Sequence, residues 1–413
     1  MPSISIGSMQ FFILLAFVAV AFQLAPRRLP KQALLIAANA AFLYPFLDNI
    51  PSWIGLAAFV LIGYAAIRFS QIRLRGLGFT LLLASLVIAF LLVKKYTFLE
   101  AFVPSDVLTH PIQIIGISYM LFKLIHMLVD TWQGDIKQVR FITYVNYQLS
   151  FFTLVAGPIQ RYREFAGFWE SIGESLPGRR EAMLAWSRIL TGMLKMALFG
   201  AFALRMYQFA SELAPSTDSR LMAAAGLAVM FYAYPAFIYF NFSGYTDIVV
   251  GAAKLFGLTL PENFNRPYLA RNMVDFWNRW HITLSIWIRD YVFMTSYKWV
   301  ATKWAPYARR LGYVLAFAAL FIAGIWHGST WNFVIFGMVH GAGVAGSQIY
   351  GQTLRQVIKP SGVQAYMRNR WITGVAMLVT FHYVCLAFLF FPQDLGRTTS
   401  IVSRAFNTVI GGA

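Results

Sequence analysis

Long apolar segments alternate with short polar or charged ones along most of this chain. The clearest apolar segments begin near residues 9, 78, 111, 183, 221, 311, 330 and 371. Many of them approach the length of about 20 residues that an α-helix needs to cross a hydrocarbon core of about 30 Å. The pattern predicts an all-α polytopic membrane protein with about 11 transmembrane helices, together with re-entrant and interfacial helices.

The composition excludes a soluble protein. Apolar residues make up 59% of the 413 residues, and charged residues make up only 12%. The net charge of +18 is carried largely by basic residues at the ends of apolar segments, such as Arg27, Arg28 and Lys31, as the positive-inside rule requires of cytoplasmic loops. The charge therefore indicates membrane lipid or an acidic partner on the cytoplasmic face, and no nucleic acid. We expect a multi-pass protein of the cell (inner, cytoplasmic) membrane.

One apolar segment does not fit a simple crossing. Residues 141–159 lie between two loops that both have the charge pattern of cytoplasmic loops, so this segment must enter the membrane and return. Gly157 and Pro158 supply the backbone break that such a path needs. Non-helical backbone at that depth is tolerated only against protein or a water-filled cavity. The segment predicts a re-entrant element.

A tryptophan-rich stretch precedes the last third of the chain. Trp277, Trp280 and Trp287 recur at helical spacing within residues 272–299, and charged residues occupy the other faces. This pattern predicts an amphipathic helix in or near the membrane surface, with tryptophan at the interface. His281 falls among the tryptophans rather than among the charges, and Ser285, one turn later, is placed to bond its ring.

Three of the six histidines lie within residues 275–341: His281, His327 and His340. A neutral imidazole within an apolar segment is a functional candidate, although a packed core histidine is an equally good interpretation of His327. Gly324 and Gly328 permit close backbone approach around it. His340 fits a supporting or structural role as well as a catalytic one.

Other chemistries lack their motifs. The sequence contains no glycine-rich phosphate loop, HExxH zinc pattern or GxSxG elbow. The single cysteine, Cys385, excludes a disulfide framework and a thiolate cluster, and we expect no metal. The remaining chemistry is a histidine acting as general base on a hydroxyl in a water-poor tunnel.

Six motifs then resemble those of the membrane-bound O-acyltransferase family, in the family's order. They are GISYMLFK (116–123), VAGPIQRYREF (155–165), FNFSGYTD (240–247), FNRPYLARNMVDFWNRWHITLSIWIRDYVF (264–293), GIWHGSTWNFVIFGMVHG (324–341) and VCLAFLFF (384–391). The resemblance covers most of the chain. It implies one integral membrane domain over residues 1–413, with a catalytic core at about 111–350 and a central tunnel.

The resemblance also implies roles for particular residues. His327, in the WHG motif, is the catalytic histidine, and His281, in the upstream WH motif, assists it. The same motifs contribute the candidates for substrate or donor binding, which are Trp326, Trp280, Asn278, Ser285, Arg289 and His340. No cofactor is implied to be permanently bound. The acyl donor is a thioester, on the phosphopantetheine of an acidic acyl carrier protein at the cytoplasmic face or on coenzyme A.

Two bacterial branches of the family resemble this chain. The length and the run RDYVFMTSYKW (289–299) are similar to the branch that passes D-alanine toward teichoic acids, with an extracytoplasmic partner transferase. VAGPIQRYREF is similar to the branch that O-acetylates exported polysaccharides such as alginate. A transporter or channel is the alternative from another class, but the chain has no detectable repeat and few carboxylates within its apolar segments.

Overall fold

A computed structural model describes residues 8–71, 76–96, 99, 102–104, 114–174, 176–328, 330–358, 360–392 and 395–411. Most of the predicted outer loop 94–110 lies outside the described residues. Within the described ranges the chain forms helices joined by turns, with an isolated antiparallel bridge between Phe264 and Trp280. The predicted all-α architecture is confirmed.

The chain divides into two compact units. The first comprises Met1–Met193 and Gly244–Glu262, and the second comprises Leu194–Ser243 and Asn263–Ala413. One long helix, Arg220–Leu255, supplies residues to both. The single domain with a core at 111–350 stays a prediction.

The first unit contains eight helices in its described N-terminal part. They are α1 (Met9–Leu24), α2 (Arg28–Leu43), α3 (Ile50–Ser70), α4 (Gly76–Lys94), α5 (Ile117–Trp132), α6 (Phe141–Leu149), α7 (Tyr162–Glu170) and α8 (Arg179–Leu194). The end of the long helix α10 (Arg220–Leu255) completes it.

The second unit contains the remaining helices of the described chain. They are α9 (Ala201–Ser216), the first part of α10, α11 (Met273–Trp277), α12 (Ile282–Ile288), α13 (Met294–Lys303), α14 (Ala308–His327), α15 (Trp331–Val357), α16 (Pro360–Arg368), α17 (Arg370–Phe388) and α18 (Leu395–Ile410). Wider π-type turns at 195–200 and 289–293 precede α9 and α13.

Seven helical segments among the described residues are long and apolar enough to cross a membrane. They are Ile50–Ser70, Gly76–Lys94, Arg179–Ser216, Arg220–Leu255, Ala305–His327, Trp331–Val357 and Arg370–Phe388. Three further predicted spans correspond to α1, α2 and α5, each of which has 16 residues. The polytopic character is confirmed, and the count of about eleven stays a prediction.

The segment predicted to be re-entrant is helical over only half of its length. Helix α6 ends at Leu149, and turns continue to residue 156 before Gly157 and Pro158. Phe151, Phe152 and Leu154 are buried. The break is therefore covered by protein within the first unit, which is the condition under which non-helical backbone is tolerated at membrane depth.

A buried cation closes this break. The ammonium group of Lys123 on α5 donates to the carbonyl oxygens of Tyr147 (2.8 Å) and Gln148 (3.3 Å) and to the hydroxyl of Thr153 (2.9 Å). These carbonyls lie at the end of α6, where backbone oxygens lack helical partners. Lys123 thus provides the hydrogen bonds that the interrupted helix cannot provide for itself.

The tryptophan-rich stretch is not one amphipathic helix, so that prediction is wrong. Helix α11 ends at Trp277, residues 278–281 form a turn, and α12 begins at Ile282. Trp277, Trp280 and Trp287 are buried rather than placed as surface anchors. The tryptophans have helical spacing in sequence although the helix is interrupted. The reason is that a short turn, like a helix, can place the side chains at positions 277 and 280 in the same core.

Helices α14 and α15 form the hairpin that carries two of the three candidate histidines. They approach closely through glycine: a Cβ at Gly324 would collide with the backbone of Gly337, and one at Gly341 would meet the Phe317 carbonyl oxygen at 2.7 Å. Any larger residue at these positions would separate the helices. The glycines therefore determine how near the two histidine-bearing helices lie to each other.

Candidate active site

His327 is the last residue of α14, at the tip of the hairpin. Its ring packs against Trp326 (4.8 Å between ring centroids), Phe336 (5.8 Å) and Phe391 (5.4 Å). The residue is half-buried, and within the described residues no hydrogen bond to either ring nitrogen is found. An imidazole held by aromatic rings, with its nitrogens uncommitted, is free to accept a proton from a substrate.

His281 is held in an unusual backbone conformation by its neighbours in sequence and in space. Its φ of 44° lies in the left-handed region, which a non-glycine residue adopts only when its surroundings impose it. Two backbone bonds impose it here: the Asn265 amide donates to the Arg279 carbonyl (2.9 Å), and the Ile282 amide donates to the Asn263 carbonyl (3.0 Å). In this conformation the ring of His281 is buried and lies at the start of α12.

Asn263 orients the His281 ring, and sequence analysis missed it. Its amide oxygen Oδ1 accepts from the Thr283 amide (3.2 Å) and hydroxyl (2.7 Å) and lies 3.4 Å from Nδ1 of His281. Because an amide oxygen only accepts, Nδ1 must carry the proton, and the lone pair is on Nε2. No motif of the kind sought marks Asn263, which is 18 residues from His281 in sequence.

The electrostatics keep His281 neutral. Burial, and secondarily the nearby His327, lower the pKa of His281 well below its usual range. The imidazole therefore stays unprotonated at pH 7 and in mildly acidic conditions. Both histidines lie within the second unit, and their joint action at one site stays a prediction.

A variant at Asn263 tests this orientation through the pH profile. Asn263→Asp places a carboxylate beside Nδ1, and this negative charge favours the protonated ring and so raises the pKa of His281. Because neutral imidazole is lost as pH falls through that raised value, the acid limb of the kcat profile should move to higher pH than in the wild type. Steady-state rates between pH 5 and 8 measure this.

The double variant Asn263→Asp/His281→Ala is the control for that profile. Without the imidazole, the added carboxylate has no base to titrate, so the shift should disappear. A shift that persists without His281 would show that Asn263 acts on another group.

The other predicted binding residues are placed very differently from one another. Trp280 is buried among Phe264, Phe276 and Phe388. Ser285 donates to the carbonyl oxygens of Trp280 and His281, both at 3.3 Å. It supports the His281 backbone and not the ring, so the predicted bond to the ring is absent from the described contacts.

Arg289 does not join the histidines. It is exposed, and its Nε bonds to the carboxylate of the adjacent Asp290 at 2.9 Å. Arg279 is likewise paired, with Asp275 at 2.7 Å. Both pairs are local, since Asp275 and Arg279 have the i, i+4 spacing of a helical ion pair and Asp290 is the neighbour of Arg289 in sequence.

A cavity of about 1340 Å³ lies within the second unit, and none of the three candidate histidines is among its lining residues. Its lining includes Asn278, the backbone around Gly343 and the apolar face of α17. Arg271, Arg309 and Arg355 also line it, and no ion pair to any of the three is found in the described chain. The cavity is large enough for a drug-sized or larger ligand. A tunnel joining two faces of the protein stays a prediction.

The described residues contain no cluster of three or more histidine, cysteine or acidic residues with the geometry of a metal site. Cys385 is buried and unpaired among them. The chemistry that the described residues offer is that of the imidazole of His327 in a largely aromatic enclosure, with the buried imidazole of His281 and a partly cationic cavity in the same unit.

These features define a multi-pass membrane protein whose site is suited to transfer at a hydroxyl group. Residues 79–391 match the profile of MBOAT, the membrane-bound O-acyltransferase family. The chain belongs to this family and is a membrane acyltransferase. Membership also favours an enzyme over the transporter or channel that the apolar segments alone had left open.

Relatives from two branches are similar to the chain. The teichoic acid D-alanyltransferase of Bacillus subtilis (strain 168) is 31% identical over 339 residues, which cover 80% of each chain. That of Streptococcus thermophilus is 29% identical and covers 68% of each. The probable alginate O-acetylase AlgI of Azotobacter vinelandii is 30% identical over 58% of this chain and 45% of its own length.

Proposed function

We propose that this acyltransferase passes a D-alanyl group from a cytoplasmic thioester donor to hydroxyls of a cell-envelope polymer or of an intermediate acceptor. The observation that carries the proposal is coverage: the similarity to the Bacillus subtilis D-alanyltransferase extends over 80% of both chains. The similarity to the Azotobacter vinelandii alginate O-acetylase leaves more than half of that protein unmatched.

O-acetylation of an exported polysaccharide is the second candidate. The alginate O-acetylases of the Pseudomonas relatives reach 33% identity over 243 residues, at least as high as the D-alanyl relatives. VAGPIQRYREF (155–165) also resembles that branch. Both candidates share the site and differ in the acyl group, so donor identity separates them.

His327 is the general base in the proposed mechanism. It takes the proton of the acceptor hydroxyl as the oxygen attacks the thioester carbonyl. A carbon–oxygen bond forms, the carbon–sulfur bond breaks, and the thiolate leaves with the proton that His327 returns. His281, neutral with its lone pair on Nε2, assists by orienting the hydroxyl or sharing the proton.

The donor is proposed to enter through the cavity of the second unit. Its unpaired arginines Arg271, Arg309 and Arg355 suit the phosphate of a phosphopantetheine arm or of coenzyme A. No permanently bound cofactor is needed. We propose an acidic acyl carrier protein as the partner on the cytoplasmic face and an extracytoplasmic transferase as the partner on the outer face. The proposed location of the protein is the inner membrane.

The region 266–310 supports a charged partner. It contains eight basic and two acidic residues, and both acidic residues are paired with arginine. Lys298 and Lys303 on α13 are exposed, and no ion pair to either is found in the described structure. Complementary charge of this kind mainly raises the rate at which two proteins meet and fixes their relative orientation, and it adds less to the binding affinity.

A donor assay across a salt series tests the proposal. With purified enzyme in detergent, the aminoacylated carrier should support transfer, and its apparent KM should rise with salt because exposed pairs are screened beyond about 8–10 Å at 0.1–0.15 M. Lys298→Glu/Lys303→Glu should raise that KM about three- to tenfold with little change in kcat.

The charge-conserving Lys298→Arg/Lys303→Arg is the matched control and should behave as the wild type. Salt-insensitive transfer from acetyl-coenzyme A, together with none from the aminoacylated carrier, would replace D-alanylation by acetylation.

A further inference from the structure

Two buried side chains near the active site carry polar atoms that have no hydrogen-bond partner among the described residues. His340 on α15 is 1% exposed, and neither ring nitrogen bonds to any described residue. Trp277 at the end of α11 is 6% exposed, and its indole Nε1 is equally unpartnered among these residues. Buried polar atoms are almost always paired with protein, with ordered water or with a ligand, so each such atom needs an explanation.

The two side chains contact each other inside an aromatic enclosure. Their ring centroids lie 5.1 Å apart at an interplanar angle of 75°. The other rings that contact His340 belong to Phe276, Phe336 and Phe388, which offer no hydrogen bonds. The unpartnered atoms thus form one small polar patch in apolar surroundings.

Neighbouring residues connect this patch to the cavity lining on one side and to His327 on the other. Asn278, next to Trp277, and Gly343, one turn after His340, both line the cavity. On the other side, the His340 ring packs on Phe336 at 4.3 Å, and Phe336 contacts the ring of His327 at 5.8 Å. The ring of Phe336 thus separates His340 from His327.

The hydrogen-bonding pattern selects the chemical group that fits. Indole only donates, and a neutral imidazole donates from one nitrogen and accepts at the other. The patch therefore offers two donors and one acceptor, which match the oxygen and the N–H of a secondary amide. A carboxylate or an ammonium ion fits poorly, because a charge buried here would lack a counterion.

We propose that Trp277 and His340 bind the secondary amide of a pantetheine-type thioester arm and so hold its thioester beside His327. In such an arm, two methylene groups separate the amide nitrogen from the sulfur, so binding the amide restricts where the thioester carbonyl can lie. The inference rests on the proposed thioester donor and specifies the subsite that recognises it.

Two small donors separate this subsite from general packing effects. One is the acyl thioester of N-acetylcysteamine, which keeps the amide next to the sulfur, and the other is the thioester of 1-pentanethiol, which replaces it by methylenes. Wild-type kcat/KM should favour the first. In Trp277→Phe, which keeps an aromatic ring and loses the N–H, that preference should fall about five- to tenfold.

His340→Leu should reduce the preference to a similar extent, and His340→Asn should restore part of it. Phe388→Leu is the matched control, because it alters the same enclosure without removing a polar atom, and it should leave the ratio of the two donors unchanged. If the His340→Leu variant fails to insert into the membrane, the donor preference of Trp277→Phe alone tests the subsite.

A binding measurement gives a second readout. Pantetheine alone should raise the Tm of the wild-type protein in detergent more than that of Trp277→Phe. Unchanged donor ratios together with an equal Tm increase would overturn the subsite and leave a trapped water as its occupant. Absence of transfer from every thioester in the wild type would overturn the proposed function, and the subsite with it.

Discussion

His327→Ala is expected to abolish acyl transfer while leaving membrane insertion intact. Removal of a general base typically lowers a rate by about 100- to 10,000-fold. His327 is the half-buried histidine whose ring nitrogens are uncommitted in the described structure, so its loss removes no hydrogen bond that the fold needs. Single-turnover transfer by the purified variant, together with its elution profile in detergent, measures both expectations.

His382→Ala is the matched control. His382 bonds to the Tyr232 hydroxyl at 2.9 Å and to the Leu378 carbonyl at 2.8 Å, and it lies outside the two histidine-bearing motifs in sequence. It should retain transfer. A well-inserted His327→Ala enzyme with a near-normal rate would remove His327 from the mechanism, and aggregation of this variant alone would make the residue structural.

His281→Ala should lower the rate by no more than His327→Ala does, and the double variant should be no slower than the slower single variant. The reason is that groups acting on one proton as a unit have non-additive effects. His281 is neutral and has its lone pair on Nε2 because Asn263 occupies the Nδ1 side. Rates of the wild type, both single variants and the double variant form the cycle that tests this.

Fully multiplicative losses in that cycle would assign the two histidines to separate steps. Ser285→Ala is a useful companion variant, since Ser285 bonds only to the backbone of Trp280 and His281 among the contacts described. It should affect the rate much less than His281→Ala, because the left-handed backbone at His281 is also held by residues 263–265.

The hydropathy pattern was sufficient for the class of fold. Apolar segments of membrane-spanning length lead to helices, because only helices and closed barrels satisfy their backbone hydrogen bonds in lipid. The same reasoning located the break around Gly157 and Pro158 and the glycine-assisted packing near His327. These features follow from local sequence and from the solvent, and neither depends on distant contacts.

The geometry of the candidate site depended on contacts between distant residues. The pairing of residues 263–265 with 279–282 interrupts the predicted helix and turns His281 into the left-handed region. Periodicity missed this, because a helical spacing of tryptophans survives a tight turn. Which arginines line one cavity is also a tertiary property: Arg271, Arg309 and Arg355 are brought to it from distant parts of the chain.

The sequence by itself thus determined the membrane class, the helices and which histidines to consider, since hydropathy and motif spacing act over one segment at a time. Tertiary structure alone decided that Asn263 contacts His281, which arginines line the cavity, and that Trp277 and His340 lie together with polar atoms unpartnered among the described residues. Those properties depend on hydrogen bonds and contacts between side chains that are far apart in sequence. The spacing of residues along one segment does not reveal such contacts.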